Sequence, residues 1–128
     1  MKAAYVDKLI GEPSKLVVGD QPRPHVGPGQ MVVRSRAAGV NPVDWKMLSP
    51  MFGQSTSLPI IPGFEVAGVV EAAGPGAGFH TGDEVIACTN FSGGGFAQYV
   101  AVDPRSAALK PRGMSFEEAA AGDRKSVV

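Results

Sequence analysis

Turn clusters recur along this chain at close spacing: Gly11-Glu12-Pro13-Ser14, Gly27-Pro28-Gly29, Gly74-Pro75-Gly76-Ala77-Gly78, Thr81-Gly82-Asp83 and Ser92-Gly93-Gly94-Gly95. Glycine supplies positive φ and proline a fixed φ, so each cluster reverses the backbone and limits the apolar run on either side. The 17 Gly and 11 Pro are scattered between apolar runs rather than massed in one tract, which marks a folded domain with many tight turns.

The runs themselves read as strands. Residues 2–7 and 15–18 flank the first cluster and suit a hairpin. Gln21-Pro22-Arg23-Pro24 lacks ladder donors at its prolines and reads as a connecting arm. Over residues 30–38, Met31, Val33, Ser35 and Ala37 alternate with Val32, Arg34, Arg36 and Ala38, the period of a strand wetted on one side. Residues 64–73 form the clearest strand, and residues 84–88 and 96–102 add two more. Six or so short strands without βαβ alternation predict a mainly β fold, a partly open β-barrel with a few short helices.

Two helices are expected. Asn41 is a good N-cap, Pro42 fits the first helical position and Asp44 suits the first turn, so Asn41-Pro42-Val43-Asp44-Trp45-Lys46-Met47-Leu48 starts a short helix. Residues 49–63, rich in Pro, Ser and Gly, form a surface loop after it. Ser115-Phe116-Glu117-Glu118 is a capping box that leads into Ala119-Ala120-Ala121.

Size and charge remove several function classes. At 128 residues and 44% hydrophobic content the chain closes one core. Lys plus Arg equals Asp plus Glu at 12 each, so the broad basic footprint of a nucleic-acid binder is missing and the expected partners are small molecules or proteins. One cysteine, Cys88, excludes an internal disulfide and a four-cysteine zinc cluster. Met1-Lys2-Ala3-Ala4-Tyr5-Val6 meets Asp7 before a signal core can form, and no apolar run approaches ~20 residues. A cytoplasmic protein with no membrane partner is the expectation.

Candidate sites weigh differently. A phosphate-cradling G-x-G-x-x-G turn fits neither glycine cluster, because Phe79 follows Gly74 and Gly76 in the third place, and Gln98 follows Gly93 and Gly95. His25 and His80 fall in surface turns and pair with no second ligand at metal spacing, so no metal site is expected. Cys88 lies in an apolar strand and reads as a buried, inert thiol. Residues 41–46 bring an amide, a carboxylate, an indole and an ammonium within little more than one turn. On the residues alone these are a cap, a first-turn acid, a buried Trp45 and a solvated Lys46.

Four blocks taken together change that reading. Ala38-Gly39-Val40-Asn41-Pro42-Val43-Asp44-Trp45-Lys46, Leu58-Pro59-Ile60-Ile61-Pro62-Gly63-Phe64-Glu65-Val66-Ala67-Gly68-Val69-Val70, Gly82-Asp83-Glu84-Val85 and Gly94-Gly95-Phe96-Ala97-Gln98-Tyr99-Val100 stand in the order and spacing of one family. They resemble the medium-chain dehydrogenase/reductase superfamily, in its NADPH-dependent quinone oxidoreductase and enoyl reductase branch. The resemblance implies a GroES-like barrel over residues 1–121, the substrate-side half of an enzyme whose Rossmann domain is absent here. Zinc-dependent alcohol dehydrogenases of the superfamily carry a cysteine ligand where this chain has Asn41 and a histidine ligand where it has Phe64. Neither an amide nor a benzyl ring replaces thiolate or imidazole, so the chain is similar to the zinc-free branch.

That branch passes hydride from NADPH to a quinone or an α,β-unsaturated carbonyl compound. The resemblance implies Asn41 beside the nicotinamide or the substrate and Lys46 at the cofactor's ribose or phosphate, or else at the substrate oxygen. It also implies Asp44 as a helix-start residue, Phe64 as an apolar wall of the cleft, and a homodimeric parent. Residues 122–128 depart from the family's continuation and are expected to be a disordered, non-native tail of a truncated chain, inactive by itself. A stand-alone GroES-like binding module and a non-functional product are the alternatives; an ordered tail packed into the barrel would count against truncation.

Overall fold

Extended segments pair in two sheets, and the turns over residues 74–78 and 81–83 join the strand that ends at Ala73 to its neighbour that begins at Glu84. The computed structural model describes residues 1–7, 16–41, 59–89 and 94–122. Strands β1 (Lys2–Tyr5) and β2 (Val17–Asp20) form an antiparallel ribbon with Lys2 opposite Asp20. Their side chains also make an ion pair at 3.2 Å, but both are largely exposed, so it adds little.

The main sheet is five-stranded and antiparallel, in the order β6-β3-β4-β5-β7. Its strands are β3 (Met31–Gly39), β4 (Glu65–Ala73), β5 (Glu84–Cys88), β6 (Tyr99–Val102) and β7 (Ala107–Leu109). The ribbon joins it through isolated bridges, Ala3 to Ala97 and Val6 to Ile60, with Val6 and Ile60 exchanging backbone bonds of 2.8 and 2.9 Å. The result is the mainly β, partly open barrel that the turn spacing predicts. Met31, Val33, Val66, Val70, Val85, Ala87, Val100 and Val102 fill its interior. The helix α1 (Phe116–Gly122) packs outside, laying Ala119 and Ala120 on Ala67.

Period two explains both faces of β4: Val66 and Val70 point inward, and Ala67 between them points out to α1. Strand β3 departs from the plain alternation. A register shift between Ser35 and Ala37 leaves Arg36 without a partner across β4. One extra residue swaps the faces beyond it, so Ala38 packs on the interior and Ala37 on the α1 cluster, the reverse of strict alternation. Val32, on the face expected to be wetted, is buried as well.

Other expectations shift at their edges. The strand expected over residues 96–102 begins at Tyr99, preceded by the single bridge at Ala97. Strand β7 is an addition, introduced by a 3-10 turn over Pro104–Ser106 that Asp103 caps through its side chain. The signal was local, an Asp103-Pro104 pair of the same kind as the Asn41-Pro42 pair read from sequence as a helix start. Cys88 at the end of β5 is partly exposed rather than buried. The helix expected from Asn41 to Leu48, most of the loop after it, and tail residues 123–128 lie outside the described residues. Among the described residues no helix is long and apolar enough to cross a membrane.

Tight main-chain approaches hold the sheet. A Cβ on Gly68 would sit 2.2 Å from the Arg34 carbonyl oxygen, backbone that cannot swing away. Gly76, by contrast, needs its positive φ of 83° but has open space around it. Urea unfolding should therefore show Gly68→Ala losing about 3 kcal/mol through overpacking, against about 1 kcal/mol for Gly76→Ala through left-handed strain.

Candidate functional site

Where β3 ends and β4 begins, the barrel wall meets α1 and leaves a cleft of about 240 Å³. Ala37, Ala38, Gly39, Val40 and Asn41 form one side, Glu65 the next, and Glu117, Ala120 and Ala121 of α1 the third. Register places Gly39 directly across from Glu65, so the two strand ends deliver their residues to the same spot. Gly39 is required there: a Cβ would lie 2.9 Å from the Ala120 carbonyl oxygen and 3.0 Å from Glu65 Oε2. The helix backbone thus rests almost on the strand backbone.

Two devices hold α1 in that position. The expected capping box forms, with Ser115 Oγ accepting from the Glu118 N–H at 3.0 Å and a Glu118 carboxylate oxygen accepting from the Ser115 N–H at 3.1 Å. The Ser115 N–H, then its hydroxyl, holds the Glu118 carboxyl below its ordinary value. The second device surrounds Phe116, whose ring lies 5.1 Å from the Lys110 ammonium and 5.4 Å from the Arg36 guanidinium. Lys110 has only 7% of its side chain exposed, pairs with Glu84 at 3.3 Å and donates to the Met114 carbonyl oxygen. The bulged Arg36 therefore reaches the helix that the bulge made room for.

The segment before β4 is fixed from the other side. Thr89 donates its N–H to the Phe64 carbonyl at 2.8 Å and its hydroxyl to the Gly63 carbonyl at 2.9 Å. Gly63, at φ 103°, has the Gly95 backbone 2.7 Å from where a Cβ would stand. Phe64 is 9% exposed and buried beside the cleft, but it does not line it. Successive side chains on extended backbone face opposite ways, and Glu65 is the one that lines the cleft. Asn41 does line the cleft, with its Nδ2 shielded from solvent. Lys46, with Asp44 and Trp45, lies outside the described residues. Glu65, 4% exposed, is the residue that sequence reasoning passed over, although a carboxylate directly before the apolar run over residues 66–70 was a visible signal.

The donor set at the cleft is an amide and two carboxylates, from Asn41, Glu65 and Glu117. It offers neither thiolate nor imidazole, so a catalytic zinc of the tetrahedral nitrogen and sulfur kind does not fit. Among the described residues no three His, Cys, Asp or Glu side chains gather to hold a metal ion. His25 and His80 are exposed. A larger cavity of about 670 Å³ lies between Gln30, Ala77, Thr89, Val102 and the Asp103–Arg105 turn. Its charges are spent on each other: Arg105 grips Asp103 at 2.7 and 3.1 Å and holds that carboxyl below its usual range. The smaller cleft is the one that brings an amide and two carboxylates together.

A family model described as the alcohol dehydrogenase GroES-like domain matches residues 27–112. Trans-enoyl reductase phm4 of Pyrenochaetopsis is 42% identical over 111 residues, covering 78% of this chain and 29% of that protein. The quinone oxidoreductase of Sus scrofa is 33% identical over 122 residues, covering 94% of this chain and 37% of that protein. A mycobacterial protein solved in complex with NADPH superposes with a TM-score of 0.79 at 34% identity, over 94% of this chain and 35% of that one. The chain thus spans about a third of the length of these relatives.

The cleft generates two expectations. Gly39→Ala should push α1 from the strand and cost about 1–3 kcal/mol, read by thermal unfolding. Glu118, its folded pKa lowered, contributes stability that is present above the unfolded value of about 4.3 and lost as pH falls through the lower folded value. Glu118→Gln should flatten that acid limb of the stability profile, measured by circular dichroism across acid pH.

Proposed function

Because this chain belongs to the alcohol dehydrogenase GroES-like domain family, we propose that it is the substrate-side domain of a zinc-independent, NADPH-dependent oxidoreductase acting on quinones or α,β-unsaturated carbonyl compounds. Its relatives include trans-enoyl reductases and quinone oxidoreductases. The observation that supports the reading is the donor set at the cleft: Asn41, just after β3, lines it together with Glu65 of β4 and Glu117 of α1, beside Ala37, Ala38 and Gly39. Such a slot admits a flat ring bearing a carboxamide.

NADPH, when bound, would supply the hydride. The chain's own residues would do the rest. Asn41 carries both a donor and an acceptor, so it would orient either the nicotinamide carboxamide or the substrate carbonyl. Lys46 would reach the cofactor's ribose or phosphate, and Phe64, packed behind the cleft, would keep water from that side. The dinucleotide itself would be held mainly by sequence outside this domain.

Titration with NADPH, followed by cofactor fluorescence, tests the reading on the purified chain and on the chain read on into its downstream frame. The expected result is weak or absent binding by the former, and binding with quinone or enone reduction by the latter. Failure of the longer protein to bind any nicotinamide cofactor would refute the proposal. In that protein Asn41→Ala or Lys46→Ala should leave the unfolding midpoint nearly unchanged and lower turnover about tenfold, the worth of one directed hydrogen bond.

A further inference from the structure

The strand segment that forms one side of the cleft also borders a second depression. Ala37 and Ala38 line the cleft, and the same two residues line a groove of about 380 Å³ where the β1–β2 ribbon meets β3. Each carries only a methyl group, so the partition between cleft and groove is low. The groove's surface is largely apolar, with Ala3, Val18, Phe96 and Ala97 along it. Val18 is 78% exposed, an aliphatic side chain that the fold leaves against water. Main-chain bonds fix the far wall: Ala4 donates its N–H to the Phe96 carbonyl at 2.8 Å, and Phe96 donates to the Pro62 carbonyl at 2.9 Å. Two cations stand at the rim, Lys2 and Arg36. Lys2 is engaged by Asp20 at 3.2 Å. Arg36, pushed out of the ladder by the bulge, faces the Phe116 ring at 5.4 Å and, among the described residues, has no carboxylate partner.

We infer that this groove holds the tail of the substrate, and that the substrate is an enone carrying an apolar chain with a carboxylate on it; the inference rests on the proposed function. The reacting end lies in the cleft, and the chain crosses the two alanines into the groove. Methylenes laid along the apolar strip leave water, which favours a chain over a short substrate. The carboxylate meets Arg36, whose planar guanidinium matches it with paired N–H donors. Arg36 stands three residues before Gly39, about 10 Å along extended backbone, so that is the separation between the reacting end and the anion.

The test is binding to the chain itself, by calorimetry with three saturated ketones that share one end. The first is short, the second bears an alkyl tail, and the third ends a tail of the same length in a carboxylate. Affinity should rise in that order, and added salt should weaken the third alone. Arg36→Gln should weaken the third about fivefold, the scale of one exposed ion pair, leave the second unmoved, and be rescued by Arg36→Lys. Because Arg36 also faces Phe116, a displaced α1 would weaken the second and third alike; that result overturns the inference, as do equal affinities for the short and tailed ketones. Val18→Asp, a change on the exposed ribbon, gives a second reading: it should weaken both tailed ketones and spare the short one. Self-association of the chain that Val18→Asp abolishes, with no ketone bound, would assign the groove to a second copy and overturn the inference. Failure of the ketones alone leaves the proposed function standing, whereas a longer protein that binds no nicotinamide cofactor refutes that function and the substrate assignment with it.

Discussion

The pairing of β3 with β4 is the contact on which the rest depends. It is the longest ladder in the sheet, it supplies both sides of the interior, and its two ends carry Gly39 and Glu65 to the same point. Its irregularity matters as much as its length. Without the bulge at Arg36, Ala37 would face the barrel interior and Ala38 the helix, and α1 would meet a different surface. The cleft is a by-product of that face swap, since a small residue now lies under the helix where it approaches most closely.

From this contact the energetic hierarchy follows. The interior is a cluster of Val, Met and Ala side chains whose burial supplies the driving force. The helix is short and, by itself, would not persist in water. It stands because a capping box fixes its start, two cations flank Phe116, and Ala119 and Ala120 seal against Ala67. The cleft is therefore framed by an element stabilised by tertiary contacts, next to a strand stabilised by the whole sheet.

What could be read beforehand divides by range. Turn positions, the strand over residues 84–88 and the capping box were legible because each is written in neighbouring residues. The bulge was not, because Ser35-Arg36-Ala37 alternates as well as any regular strand and only the pairing with β4 shows the extra residue. Asn41 was singled out through its motif, and the structure sets it among the residues lining the cleft. Glu65 was passed over because its neighbour Phe64 carries the departure from the zinc-ligand pattern. Gly39 gave no warning either: nothing nearby in sequence tells that the Ala120 carbonyl will arrive on top of it.

That last approach has a consequence for how such a cleft can change. Its floor is main chain, with the Ala120 carbonyl against Gly39, so no substitution there can widen or narrow it without moving a helix. Any change in the shape of the cleft has to come from its rim, where the exposed Val40, Glu117 and Ala121 line it over a base that stays the same. The cleft behaves as a mould with a rigid bottom and a replaceable lip.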